Sequence, residues 1–505
     1  MQDWLSISLY VLIIILISGF VLRYIRRQTV TQSNSPQTAL PEATLSIKGS
    51  HPLNISDTVT GSPIIPRDKH TISRRNMSKN ALKVLHRLNN AGYEAFLVGG
   101  CIRDLYLGIT PKDFDIATSA TPEEVRKLFK NARVIGRRFK LAHILFVRET
   151  IEVATFRASH DANKPASDSS RHADSGRILR DNVYGSMEED ALRRDFTINA
   201  LYYESQNFSV VDYCNGVADI EQRTLRLIGD PLKRYREDPV RMLRAIRFAA
   251  KLKFTMAEAT RAPIKTFAHL LQDIPPARLF DEALKLLHSG NGVDTFDKLW
   301  EYGLLKPLFP ATYHSLESDD LPFEELVYHA LESTDKRVRN NQPVTPAFLF
   351  AVLLWHPLQQ QVLELKSQGI PPMIALQKAS TLVLNNQAAH TAIPKRFVLV
   401  IREIWELQTR LERRQPRLVK SLLEHQRFRA AYNLLLLREK SGEKRENVSQ
   451  WWTAAQEASD EDLQQIILAL RSSPSSKAGN KNKGRKQRKS ETAGDVTTHS
   501  PDQDV

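Results

Sequence analysis

The chain has 505 residues, 42% of them hydrophobic, with 71 Lys and Arg against 57 Asp and Glu, a formal net charge of +14. That length supports about three domains, the apolar share is that of a globular protein, and the basic excess points to a polyanionic partner, either nucleic acid or an anionic membrane surface. Only Cys101 and Cys214 are present, which excludes a disulfide framework and suits a reducing cytosol.

Trp4 to Leu22 is nearly continuous apolar sequence, with Asp3 the only charge before it and Arg23, Arg26 and Arg27 close behind. About 20 such residues cross a bilayer. The basic flank predicts that everything beyond it faces the cytoplasm, so residues 1–27 are expected to anchor the chain to a membrane. A cleaved signal peptide would carry its basic residues before the apolar stretch; the other alternative is that translation starts further along. Residues 28–70, rich at first in Ser, Thr, Pro and Gln, read as a flexible tether.

Tyr93 to Val98 predicts a short buried strand ending at Gly99-Gly100, where missing Cβ atoms let backbone N–H groups approach phosphate oxygens. Arg103 and Lys112 would then meet the charge of a triphosphate. If Asp113-Phe114-Asp115 lies on a strand, both carboxylates project from one face and Phe114 points into the core. Hard oxygen ligands side by side suit two Mg2+ ions about 3.5–4 Å apart. Taken singly, Asp-x-Asp is equally a solvated turn and Gly-Gly a loop. Their order, followed by the capping box Thr121-Pro122-Glu123-Glu124, makes the combination specific.

Ile151 to Arg157 alternates as a half-buried strand does, and beside the Asp113/Asp115 strand it makes Glu152 a candidate third carboxylate and metal ligand. The plainer reading is a surface Glu on a strand edge. Further on, Asp238 and Arg241 are three apart and share a helix face. One accepts and the other donates, which suffices to read the Watson–Crick edge of a base without a template. Pro239 fits the first helical turn, and Arg244 and Arg247 continue the basic face toward phosphates or RNA.

Beyond Glu258 the pattern is helical, as in Arg278–Leu287 and Phe397–Leu411. His356, next to Pro357 in an apolar run, reads as a core or helix-end residue, and no metal is assigned to the C-terminal half. Lys477 to Lys489 alternates charge with Gly, Asn, Gln and Ser and cannot pack a core, so residues 456–505 are expected to be a disordered basic tail with affinity for RNA.

The glycine turn with its aspartate pair, the stretches Ile135–His143 and Arg234–Phe248, and Arg193-Arg194-Asp195-Phe196-Thr197 together resemble the class II nucleotidyltransferases of the DNA polymerase beta-like superfamily. These include bacterial poly(A) polymerases and tRNA CCA-adding enzymes. The likeness runs from about Ile64 to about Trp452 and is strongest to the bacterial poly(A) polymerase I type. It implies an α+β fold: a small mixed β-sheet head at 71–215, then all-α neck (216–290) and body (291–455) before the tail. It also implies that Arg194 and Asp195 belong to the nucleotide site, with Asp195 a further catalytic acid and Asn199 supporting its loop, and that Asp238 and Arg241 select the incoming nucleotide.

The activity implied is template-independent addition of AMP from ATP to RNA 3′ ends with release of pyrophosphate, promoting RNA turnover. CCA addition to tRNA is the alternative, since both use the same head and neck; Ile135–His143, Leu179–Ser186 and Ile274–Glu282 lie closer to the poly(A) type. The implied partners are RNA 3′ ends, ATP and RNA-decay proteins, with the chain a monomer, and the apolar run Trp4–Leu22 adds the inner membrane. A membrane-bound RNA scaffold, a reading of another class, has no need of Asp113, Asp115 and Glu152 together.

Overall fold

The computed structural model describes residues 63–136, 140–158, 183–318, 320–443 and 447–470, and the backbone alone of 170–172, 178–181 and 471–472. The expected anchor at 4–22 and the basic run Lys477–Lys489 lie outside the described residues. Among those described, no helix is long and apolar enough to cross a membrane. The chain forms two compact units, the first running to Pro275 and including Asp294–Leu308, the second comprising Pro276–Val293 and the residues from Phe309 onward.

In the first unit, β1 (Ile64–Ile65), β2 (Ala95–Val98), β3 (Asp115–Thr118), β4 (Ala132–Ile135), β5 (Leu141–Leu145), β6 (Thr150–Thr155), β9 (Leu201–Tyr203) and β10 (Val210–Asp212) build one sheet. Its order is β1-β10-β9-β2-β3-β6-β5-β4; β7 (Ser170–His172) and β8 (Ile178–Asp181) pair apart from it. Only β3 and β6 run parallel among its neighbours, so the sheet is mixed, as expected. Helix α1 (Lys79–Asn90), capped by the Ser78 hydroxyl, buries Ala81, Val84, Leu85 and Leu88. Those positions recur at three and four, the stripe that lets a helix cover a sheet.

Two expected boundaries shift. The tether does not extend to residue 70, because Ile64 and Ile65 already pair with Val211 and Val210 as the outermost strand. The Asp113/Asp115 strand starts only at Asp115. Val98 is the last residue of β2 to pair, opposite Asp115, and Gly99 then turns away with φ +80°, so residues before Asp115 have no neighbour on that side. Phe114 is buried, as predicted.

The second unit is helical. Its first helix, α7 (Pro276–Leu287), carries Phe280, which stacks on Phe350 with ring centroids 5.5 Å apart. The expected neck, 216–290, is therefore split at Pro275-Pro276: aromatic packing draws α7 into the second unit. Part of the stretch 456–505, expected as a disordered tail, is folded. Asp460–Ser472 is a helix whose Leu463 and Ile467 bury against the cluster around Trp452 and Leu411. His356 does lie in the first turn of a helix, Trp355–Ser367, where its Nε2 is 2.9 Å from Asp320 Oδ2 and its ring stacks on Phe323.

His288, just past α7, has its pKa pushed down to about 4 by burial. Folding keeps the ring neutral where the unfolded chain would protonate it, so stability is lost as pH falls from about 6.5 toward 4, by up to about 3 kcal/mol. Urea unfolding of His288→Gln should flatten that acid limb; an unchanged pH profile would exclude His288 as its source.

Candidate active site

The site is built where β2 ends. The left-handed φ of +80° at Gly99 is one that L side chains rarely adopt, and it redirects the chain into helix α2 (Gly100–Tyr106). Beside the turn, the strand ladder sets Asp115 of β3 opposite Glu152 of β6, and Glu152 opposite His143 of β5. Residues paired across neighbouring strands share a face, so Asp115, Glu152 and His143 form one row, with His143 Nε2 3.4 Å from Glu152 Oε2.

Burial pushes the Asp115 carboxyl up to about 6; Glu152 and Asp113 add to the rise, while Arg194 and His143 oppose it. A carboxylate destabilised by acidic neighbours in this way is stabilised by a cation. Among the described residues no three such ligands are already gathered as a cage. Magnesium does not require one: it takes one or two carboxylates and completes its shell with substrate phosphates and water. The donor set fits that ion. Lys112 and Asp113 lie exposed in the loop leading into β3.

Arg103 departs from expectation. Its side chain is 4% exposed, with Nε and Nη2 donating to Asp104 Oδ1 at 2.8 and 2.6 Å and Nη1 to Asn199 Oδ1 at 2.6 Å. It falls on the inner face of the short helix α2 and braces the turn from below, instead of reaching over it. Asn199 in turn donates to Asp195 Oδ1 at 3.4 Å, an oxygen that also accepts from the Phe196 N–H, while Asp195 Oδ2 accepts from Arg244 Nε at 2.6 Å. Burial raises the Asp195 carboxyl, but Arg244 and these donors outweigh it and hold the group below the usual carboxylate range.

Arg194 and Asp195, adjacent in sequence, take different partners, Asp190 and Arg244 respectively. Helix α4 (Met187–Arg193) stops at Arg193, and Arg194 turns back to Asp190 Oδ2 and the Tyr202 hydroxyl, its Nη2 and Nε at 2.9 Å from them respectively.

Asp238 and Arg241 are not on one helix either. Helix α5 (Pro231–Glu237) ends before Asp238, whose φ of −149° is extended, and α6 (Val240–Leu252) begins after Pro239. A residue preceding proline is driven out of the helical region. The pair nonetheless stays close, since the Arg241 N–H donates to the Asp238 carbonyl at 3.0 Å. The Arg241 guanidinium is held by the Arg234 carbonyl at 2.7 Å and Glu237 Oε2 at 3.1 Å.

Sequence reasoning gave no role to Asp190, Tyr202 or Glu237, and named His143 only within a stretch. For two of these the signal was present: Asp190 precedes Arg194, and Glu237 precedes Arg241, by the four residues that favour an acid–base pair on a helix. Tyr202 and His143 reach the site through strand pairing, which no local spacing reveals. Cys101 is buried beside the turn, with its thiol pushed up to about 12 by burial.

The architecture is shared with the Bacillus stearothermophilus CCA-adding enzyme in complex with CTP, at TM-score 0.50 and 24% identity over 78% of this chain and 84% of that one. By sequence, the CCA-adding enzyme of Bacillus velezensis is 35% identical over 49% of this chain and 60% of its own length. Poly(A) polymerase I of Escherichia coli O6:H1 is 50% identical over 82% of this chain and 90% of its own. The chain belongs to the poly(A) polymerase I family. Its segments match the family's parts in order: the poly A polymerase head domain at residues 95–226, the probable RNA and SrmB-binding site of polymerase A at 253–315, and the arginine-rich C-terminus of polymerase A at 368–490. As a member of the poly(A) polymerase family the chain is a polynucleotide adenylyltransferase, with the CCA-adding enzymes its more distant relatives.

Proposed function

We propose that this poly(A) polymerase transfers AMP from ATP to RNA 3′ ends at the row of carboxylates beside the Gly99 turn, with Asp113, Asp115 and Glu152 holding two Mg2+ ions. The observation that carries the reading is the in-register placement of Asp115 against Glu152 across parallel strands. When bound, the ions would neutralise charge on the phosphates and on the leaving pyrophosphate. The chain's own residues supply position. Gly99 and Gly100 let the backbone approach the triphosphate, Lys112 and Arg194 meet its charge, and Arg103 keeps the turn in shape.

Glu152, and not Asp195, completes the acidic set in this reading. Both Asp195 oxygens are already occupied, by Arg244 on one side and by Phe196 and Asn199 on the other. Asp195 is a positioning residue, essential because it holds the phosphate-facing Arg244. Asp238 and Arg241 read the base, with Glu237 fixing one edge of the Arg241 guanidinium so that the remainder is presented in one orientation.

Incubated with ATP, Mg2+ and an unstructured RNA, the purified protein should add many A residues and accept CTP, GTP and UTP poorly. Addition that stops after CCA on a trimmed tRNA would overturn the reading. The apolar run Trp4–Leu22, with Arg23, Arg26 and Arg27 behind it, supports a tether at the cytoplasmic face of the inner membrane, where the enzyme would act as a monomer alongside RNA-decay proteins. Full-length protein recovered entirely in the soluble fraction without detergent would remove the anchor from this account.

A further inference from the structure

We propose that Asp190 and Tyr202 form a clamp that aims Arg194 at the triphosphate of the incoming nucleotide, a positioning role for two residues that touch no substrate. The inference rests on reading Arg194 as part of the nucleotide site.

The guanidinium is gripped along one edge. Its Nε donates to the Tyr202 hydroxyl at 2.9 Å and to Asp190 Oδ2 at 3.2 Å, its Nη2 donates to the same Oδ2 at 2.9 Å, and the Tyr202 hydroxyl donates to that oxygen at 2.6 Å. One oxygen of each partner thus closes a three-membered ring of contacts around the arginine. Nη1 takes part in none of these bonds and lies on the side of the nucleotide turn: a Cβ on Gly99 would stand 3.6 Å from it. Because a guanidinium is a rigid plane, fixing one edge fixes the direction of the other.

The clamp itself is held firmly. Tyr202 is fully buried on β9, next to β2, and its ring meets Phe96 and Phe156 edge-on at 6.3 and 6.5 Å. Asp190 is also buried, and its other oxygen accepts from the Arg157 N–H at 3.2 Å, just past the end of the strand that carries Glu152. One carboxylate therefore ties the arginine to the strand bearing the proposed third metal ligand. Burial raises the Tyr202 phenol well above its usual range, so it remains a neutral donor at working pH.

A clamp that merely stabilised the end of α4 would change unfolding and leave ligand preference alone. Tyr202→Phe removes the hydroxyl and keeps the ring packing, and Asp190→Asn removes the charge. Binding of ATP, inorganic tripolyphosphate and adenosine to each variant separates the two cases. Since hydrogen bonds to charged groups are among the strong ones, the expected loss is roughly tenfold or more for ATP and for tripolyphosphate, with adenosine unchanged. In turnover, KM for ATP should rise by more than kcat falls. A lower melting temperature with all three affinities unchanged would overturn the clamp, as would equal losses for ATP and adenosine. Arg194→Lys separates the inference from its foundation. If that variant keeps wild-type tripolyphosphate affinity, the reading of Arg194 fails and the clamp with it; if it weakens binding while Tyr202→Phe and Asp190→Asn do not, the clamp alone fails.

Discussion

Asp113→Ala and Asp115→Asn should each reduce RNA extension at least about a thousandfold, because charge stabilisation by a bound metal is worth several kcal/mol and each 1.4 kcal/mol is a factor of ten. RNA affinity should change little, since it derives from Lys and Arg contacts to phosphates spread over the chain. The folded state offers an independent check. The Asp115 carboxyl is pushed up to about 6 by desolvation and by Glu152 and Asp113, so its ionised form costs the fold stability, starting from the unfolded carboxylate range and complete above about 6, a cost that solvent reduces because the residue stands exposed at the start of β3. Asp115→Asn removes that cost and should melt at or above the wild-type temperature at pH 7.5 without added Mg2+, and stabilisation by added Mg2+ should shrink. Near-normal extension by either variant would sink the assignment. An inactive Asp115→Asn protein with a sharply lowered melting temperature would mean that the residue supports the fold instead.

The largest effect on stability is expected at Arg438 in the second unit. Its side chain is 1% exposed. Nη1 donates to Gln408 Oε1 at 2.9 Å and Glu412 Oε1 at 3.0 Å, Nη2 donates to Glu443 Oε2 at 2.8 Å, and the guanidinium carbon sits 4.3 Å from the centre of the Trp355 ring. Replacing it with Met leaves Glu412 and Glu443 without their buried cation, a change that costs about 3–5 kcal/mol when one partner of a buried pair is removed. Both glutamates are about a quarter exposed, which places the expectation near the lower figure. In a unit of this size that lowers the melting temperature by roughly 10 °C. Arg438→Met combined with Glu412→Gln and Glu443→Gln should recover more than half of the loss, because the penalty lies in the stranded charges. A single-variant loss under about 1 kcal/mol would show that water reaches the site and screens it.

Much of this was legible in the residues themselves. The alternation of Ile151–Arg157 led to β6, the capping box at Thr121 and Glu124 is formed, and Glu152 stands beside Asp115 as the alternation suggested. What escaped the sequence was mostly direction. Arg103 looks the same in a motif whether it faces a phosphate or the scaffold, and only the packing of α2 decides that it faces Asn199. Asp238 and Arg241 fit one helical face by spacing, but Pro239 breaks the helix between them. Phe280 shows no sign in sequence of which unit it joins, because stacking on Phe350 is a contact between distant parts of the chain.

The break at Asp238-Pro239 bears on how such enzymes change their choice of monomer. The proposed metal ligands sit on β3 and β6 and in the loop before β3, whereas the proposed base readers sit where α5 meets α6. The helices meet the head through the segment after α4: Arg244 pairs with Asp195, Arg234 donates to the carbonyls of Arg193 and Arg194, and Phe248 packs edge-on against Phe196 at 5.6 Å. A graft of α5 and α6 from a relative of different nucleotide preference must therefore keep Arg234, Arg244 and Phe248, together with Tyr235, whose hydroxyl donates to the Thr260 carbonyl at 2.8 Å.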